Sequence, residues 1–68
     1  MAARKLGDVV RELRERRALT QVDLADRAQV GVSYVTMLEA GQQANPPAAI
    51  LQRLARALSV HVDRLRAT

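Results

Sequence analysis

Apolar residues recur at helical intervals through almost the whole chain. Leu6, Val9, Val10 and Leu13 stand at i, i+3, i+4 and i+7, while Asp8, Arg11, Glu12, Arg14, Glu15, Arg16 and Arg17 supply a solvated face. This spacing predicts a first helix from about Ala3 to about Arg17. Thr20 is a good N-cap, and Asp23 three residues on approximates a capping box. A second helix follows from about Gln21 to about Ala28, with Leu24, Ala25 and Ala28 inward. Gln29, Val30 and Gly31 break the pattern. Gly31 suits the N-cap of a third helix from about Val32 to about Ala40, and Gly41 suits the residue just past its end. Residues 42–47 read as a loop, with Pro47 at the first position of a fourth helix. Leu51, Leu54, Ala55 and Leu58 give that helix its inner stripe. A short fifth helix after His61 carries Val62 and Leu65 inward. No strand signal survives, so the expectation is an all-α chain of five helices forming one domain over 1–68.

Composition narrows what such a bundle can be. A chain of 68 residues buries only about 60% of its unfolded surface and is marginally stable. With no cysteine and one histidine, His61, neither a disulfide nor a metal site is expected. His61 reads as a cap or surface residue. Helix packing must supply the stability, with help from a partner subunit. No apolar run reaches the ~18 residues of a membrane span, and the start lacks the apolar core of a secretory signal. A cytoplasmic protein is expected. The net charge of +4, with ten of eleven cations arginine, favours a polyanionic partner.

The segment from Thr20 to Gly41 is where these readings converge. Two short helices joined by a three- or four-residue turn form a helix-turn-helix unit, here over about 20–40. Leu24, Ala25 and Ala28 must then meet Val30, Val35 and Leu38, and the small Ala25 lets the helices cross closely. The outer face of helix three is left open for a major groove. In this order and spacing, Leu19-Thr20-Gln21, Leu24-Ala25, Ala28, Val30, Tyr34-Val35, Leu38-Glu39-x-Gly41, Pro46 and Leu54-Ala55-x-Ala57-Leu58 resemble the Cro/repressor family of regulators, also called the XRE family. Val60 and Asp63 fit its tail, and the match covers about Leu6 to Leu65.

The resemblance implies a five-helix lambda-repressor-like DNA-binding domain working as a homodimer on palindromic double-stranded DNA. Its half-sites would lie about one helical turn (~34 Å) apart. It implies Val32, Ser33, Thr36 and Met37 at the bases. It places Gln21, at a helix N-terminus that favours an anion, on phosphate, with Gln42, Gln43 and Asn45 as a second clamp. Arg11 and the Tyr34 hydroxyl are further phosphate candidates. Arg14 and Glu39 match a structural ion pair between helices one and three. Ala44, Val62 and Leu65 are candidate dimer contacts.

Two departures stand out. Gln29 occupies a turn position where the family has glycine, at about 1 kcal/mol if the backbone there is left-handed. Gly31 is expected to absorb that strain. The reading face carries no Arg, Lys, Asn or Gln, the usual bidentate base readers. Thymine methyl contacts and DNA shape must therefore carry much of the specificity. Phosphate contacts are expected to supply most of the affinity, so binding should weaken steeply with salt, by about 0.9 log unit per phosphate contact for each log unit of salt. No cofactor is expected, and no nucleophile–base set, glycine-rich phosphate loop or carboxylate pair points to an enzyme. The bound protein would be nucleoid-associated. Exposed Val32 and Met37 leave a second reading open, in which this face docks a regulatory protein partner as antitoxin-like or anti-activator-binding domains do.

Overall fold

The computed structural model describes residues 5–43 and 45–66. Five helices follow in order: α1 Leu6–Arg16, α2 Gln21–Ala28, α3 Val32–Glu39, α4 Ala48–Ala57 and α5 Val62–Arg66. The expected start of α1 at Ala3 lies outside the described residues. Lys5 is extended, with φ −75° and ψ 150°, so the helix opens at Leu6. Pro47 is likewise extended, at ψ 154°. It stands outside α4 as the N-cap rather than at the first helical position, and its carbonyl accepts from the Leu51 N–H at 3.0 Å.

The core is aliphatic. Val10, Leu24, Val35, Leu38, Leu54, Leu58 and Leu65 are sealed from solvent, each worth about 1.5–3 kcal/mol of burial. The helix α2 packs on both α3 and α4, α1 packs on α3 and α5, and α5 closes against α4. Leu65 is thus a core residue of its own subunit. Its expected role at a dimer interface is corrected, because a side chain 1% exposed has no surface left to offer. Val62 is half-buried against the same core, and Ala44 lies outside the described residues.

Each end of α2 is closed by local chemistry. The Thr20 hydroxyl accepts from the Asp23 N–H at 3.0 Å, and the Asp23 carboxylate accepts from the Thr20 N–H at 2.9 Å. This reciprocal cap satisfies two backbone donors at the start of α2 and stabilises that end of the helix. The backbone hydrogen bond from Thr20, and then its side chain, hold the Asp23 carboxyl below the usual aspartate range. His61 plays a smaller version of the part before α5, its Nδ1 accepting from the Asp63 N–H at 3.1 Å.

The first four helices end in one shared device. Past α1, α2, α3 and α4 the residues Ala18, Gln29, Gly41 and Ser59 take positive φ, at 56°, 59°, 83° and 57°. In each case the next residue's N–H reaches back across the turn: Leu19 to Arg14, Val30 to Ala25, Gln42 to Met37, and Val60 to Ala55. These are Schellman caps. In three of them the returning residue is apolar, so the cap also pins a side chain to the core. The expectation that Gly31 would relieve Gln29 is corrected: Gly31 is extended at φ −71°, and Gln29 itself bears the left-handed strain.

Only one of the four caps is glycine. A left-handed non-glycine residue costs about 1–2 kcal/mol, against 0.5–1 kcal/mol of extra chain entropy for glycine. Replacing Ala18, Gln29 and Ser59 together by glycine should therefore stabilise the domain by about 2 kcal/mol and raise Tm by about 10 °C. Thermal unfolding followed by circular dichroism checks this, and an unchanged or lower Tm would mean the three turns carry no such strain.

Candidate nucleic-acid interface

Two features of α3 define the site: what it hides and what it shows. Val35, Leu38 and Glu39 point inward, and Val32, Ser33 and Thr36 point out. Val32, at 43% exposed, is one of two large apolar side chains left in solvent among the described residues; the other is Val22 on α2. Met37 sits half-buried at the edge of the same face. The structure therefore brings all four expected base-facing residues to one side of α3.

Beneath this face lies the ion pair. Arg14 Nε and Nη2 donate to the two Glu39 oxygens at 2.7 and 2.9 Å, a bidentate geometry that suits guanidinium and carboxylate. Arg14 Nη1 donates to the Leu19 carbonyl at 2.7 Å. The side chains are only 11% and 4% exposed. The hydrogen bond to Glu39, ahead of the opposing effect of burial, raises the Arg14 pKa further above its ordinary value.

The network continues to the surface. Gln21 Nε2 donates to Glu39 Oε1 at 3.2 Å. The Thr36 hydroxyl lies 2.9 Å from Gln21 Oε1 and 3.1 Å from the Val32 carbonyl, with one proton to give between them. The buried pair thus fixes Gln21, and Gln21 is tied to Thr36 on the reading face. Periodicity alone does not reveal this link between two residues assigned to phosphate and to bases.

The other candidates are more scattered. Gln42 and Asn45 are exposed and Gln43 half-buried in the loop beyond α3. Arg11 is exposed on α1 and paired with Asp8 at 3.2 Å, a surface pair worth little and readily exchanged for another anion. The Tyr34 hydroxyl is a correction. It is buried, with no hydrogen-bond partner among the described residues, and burial raises its pKa. In this conformation it offers nothing to a phosphate.

One residue essential to the arrangement was not singled out from the sequence. Gly7, buried in α1, lies against the backbone at the end of α3. A Cβ there would fall inside the Leu38 carbonyl oxygen and 3.0 Å from Glu39 Cα. The available signal was a glycine inside a helical pattern, where it costs about 1 kcal/mol against alanine and so calls for a packing reason.

Comparison with known proteins agrees with this geometry. A family model described as helix-turn-helix matches residues 10–65. The chain is 41% identical over 61 residues to the HTH-type transcriptional regulator DdrOP3 of Deinococcus deserti, covering 90% of this chain and 46% of that protein. It thus spans slightly less than half the length of that relative. The crystal structure of the restriction-modification controller protein C.AhdI from Aeromonas hydrophila superposes with a TM-score of 0.84 at 35% identity, over 88% of this chain and 89% of that one. The solution structure of the DNA-binding domain of the P22 C2 repressor shares the fold, with a TM-score of 0.90 at 23% identity over 97% and 86% of the two chains. Matched over most of its length, and carrying the inward and outward residues of α3 that such a unit needs, the chain belongs to the helix-turn-helix family of the Cro/repressor (XRE) type.

Proposed function

We propose that this domain is a sequence-specific DNA-binding transcription regulator that acts as a homodimer, placing α3 of each subunit in successive major grooves. The observation that carries the reading is the open outer side of α3, where Val32, Ser33 and Thr36 stand free of the core. Val32 and Met37 suit thymine methyl groups, and Ser33 suits a base-edge hydrogen bond. Thr36 shares its proton with Gln21 and Val32, so it orients Gln21 as much as it reads a base. Thr20 caps the Asp23 N–H, and the first-turn N–H groups of Gln21 and Val22 project at the tip of α2, where an anion is favoured. Gln42, Gln43 and Asn45 form the second backbone clamp, and Ala44 with the exposed edge of Val62 forms the contact between subunits. Among the described residues no helix is long and apolar enough to cross a membrane, and a cytoplasmic, nucleoid-bound protein fits this reading.

The test is selection of bound duplexes from a random pool, followed by titration of the selected sequence. Val32→Asp with Met37→Asp should weaken binding at least ~100-fold, since each base contact is worth about 1–3 kcal/mol. The steep salt response expected from the sequence is revised here to a shallow one, because the slope counts only phosphates neutralised by a cation. Arg11 is the one cation among the proposed contacts, so a dimer should show a slope near −2, at about 0.9 per neutralised phosphate. Operator binding retained by the double variant would favour the docking of a protein on this face instead.

A further inference from the structure

The reading face is uncharged, and the positive charge gathers elsewhere. Where the end of α2 meets α4, a cleft of about 560 Å³ is lined by Arg27, Arg53 and Arg56, with Gln29 and Ser59 at its rim and Ala28 and Ala57 as its floor. The three arginines are exposed, and the two alanines are buried. Among the described residues none of the three has a carboxylate within ion-pair distance. Arg53 Nη1 lies 3.5 Å from the Gln29 carbonyl, Arg27 is near enough to Asp23 to help lower that carboxyl, and a fourth cation, Arg17, reaches the Ser59 carbonyl at 3.5 Å.

We propose that this cleft is a docking site for an acidic, partly apolar polypeptide segment of a protein partner. A cation near a helix C-terminus complements the dipole, and that accounts for one arginine at the end of each helix. It does not account for three converging on a single depression, where like charges repel. A carboxylate entering the cleft relieves that repulsion and takes up the paired N–H donors of guanidinium. The alanine floor leaves room for an apolar side chain between the charges.

The DNA backbone is the competing anion, and the placement argues against it. Gln21 stands at the first residue of α2 and Arg27 at the seventh, about 9 Å further along the axis at 1.5 Å per residue. The cleft lies where α2 meets α4, whereas the reading residues lie on α3, the other helix that α2 packs against. On this placement the arginines lie off the α3 and Gln21 side, and the proposal assigns them to a second molecule rather than to the duplex.

The experiment uses the isotope-labelled chain, alone and bound to its selected duplex. The probe is a synthetic ten-residue peptide alternating Glu with Leu, beside the same peptide with Gln for Glu. Saturable amide shifts confined to Arg27, Gln29, Arg53 and Ser59 are expected with the acidic peptide, both with and without DNA. They should be absent with the amide peptide. Arg53→Gln with Arg56→Gln should weaken the interaction at least tenfold, while Tm falls by no more than a few degrees and duplex affinity by less than about threefold, which separates this site from the DNA reading. Equal shifts with both peptides, or none with either, would overturn the proposal. So would duplex DNA moving the same four amides and displacing the peptide, which would assign the cleft to nucleic acid.

Discussion

Gly7→Ala should destabilise the domain by about 3 kcal/mol or more and lower Tm by at least ~12 °C. Helix propensity alone predicts the opposite, because alanine in a helix interior is favoured over glycine by about 1 kcal/mol. Here the added methyl meets the Leu38 carbonyl and the Glu39 Cα, which are backbone atoms inside the fold and have no rotamer to give. Relief requires α1 to move off α3, and those two helices are also joined by the Arg14–Glu39 pair. Overpacking a core commonly costs about 1–3 kcal/mol where side chains adjust, so a clash with backbone belongs at or above that limit. A domain of this size holds only about 0.05–0.15 kcal/mol per residue, so the variant should lose a large part of its stability. At 4–8 °C per kcal/mol, the Tm shift is easily read. A variant melting at or above the parent temperature would show that the helices do not meet at Gly7.

The contrast between Gly7 and the rest of α1 marks where the sequence was readable. Leu6, Val10 and Leu13 announce the buried face of α1 through their spacing, and the structure buries all three. The helix boundaries of α2 were legible because Thr20 and Asp23 are sequence-local, and their two hydrogen bonds span three residues. Gly7 is different, since what it makes room for is 31 residues away. Periodicity says which side faces in, but not how closely two backbones approach.

The same division applies to the site. The family resemblance put Val32, Ser33 and Thr36 at the bases, and the inward spacing of Val35 and Leu38 left that side of α3 open. The fate of the polar groups was not legible. Tyr34 has an amphipathic side chain that equally suits a phosphate or the core, and its hydroxyl proves buried. Leu65 was placed both inward and at a subunit contact, and burial decides for the core. The cleft with Arg27, Arg53 and Arg56 escaped notice because its residues come from two helices that no local pattern connects.

Glu39→Ala should cost about 3–5 kcal/mol, the range for removing one partner of a buried ion pair. Arg14 would keep its bond to the Leu19 carbonyl but retain a nearly buried charge with no counterion. Arg14→Met should cost a similar amount by stranding Glu39. The double variant Arg14→Met with Glu39→Leu removes both charges and fills the space, so it should melt closer to the parent than either single variant. Its DNA binding should nevertheless fall. With Glu39 gone, Gln21 loses its Nε2 acceptor and keeps only the bond from Thr36, so it must be ordered when the duplex arrives. Stability restored without affinity would separate the pair's two tasks: holding α1 to α3, and holding Gln21 at the edge of the reading face. Unfolding titrations and operator binding on the four proteins of the cycle supply the measurement. A Glu39→Ala variant within about 1 kcal/mol of the parent would mean that water, not Arg14, satisfies that carboxylate.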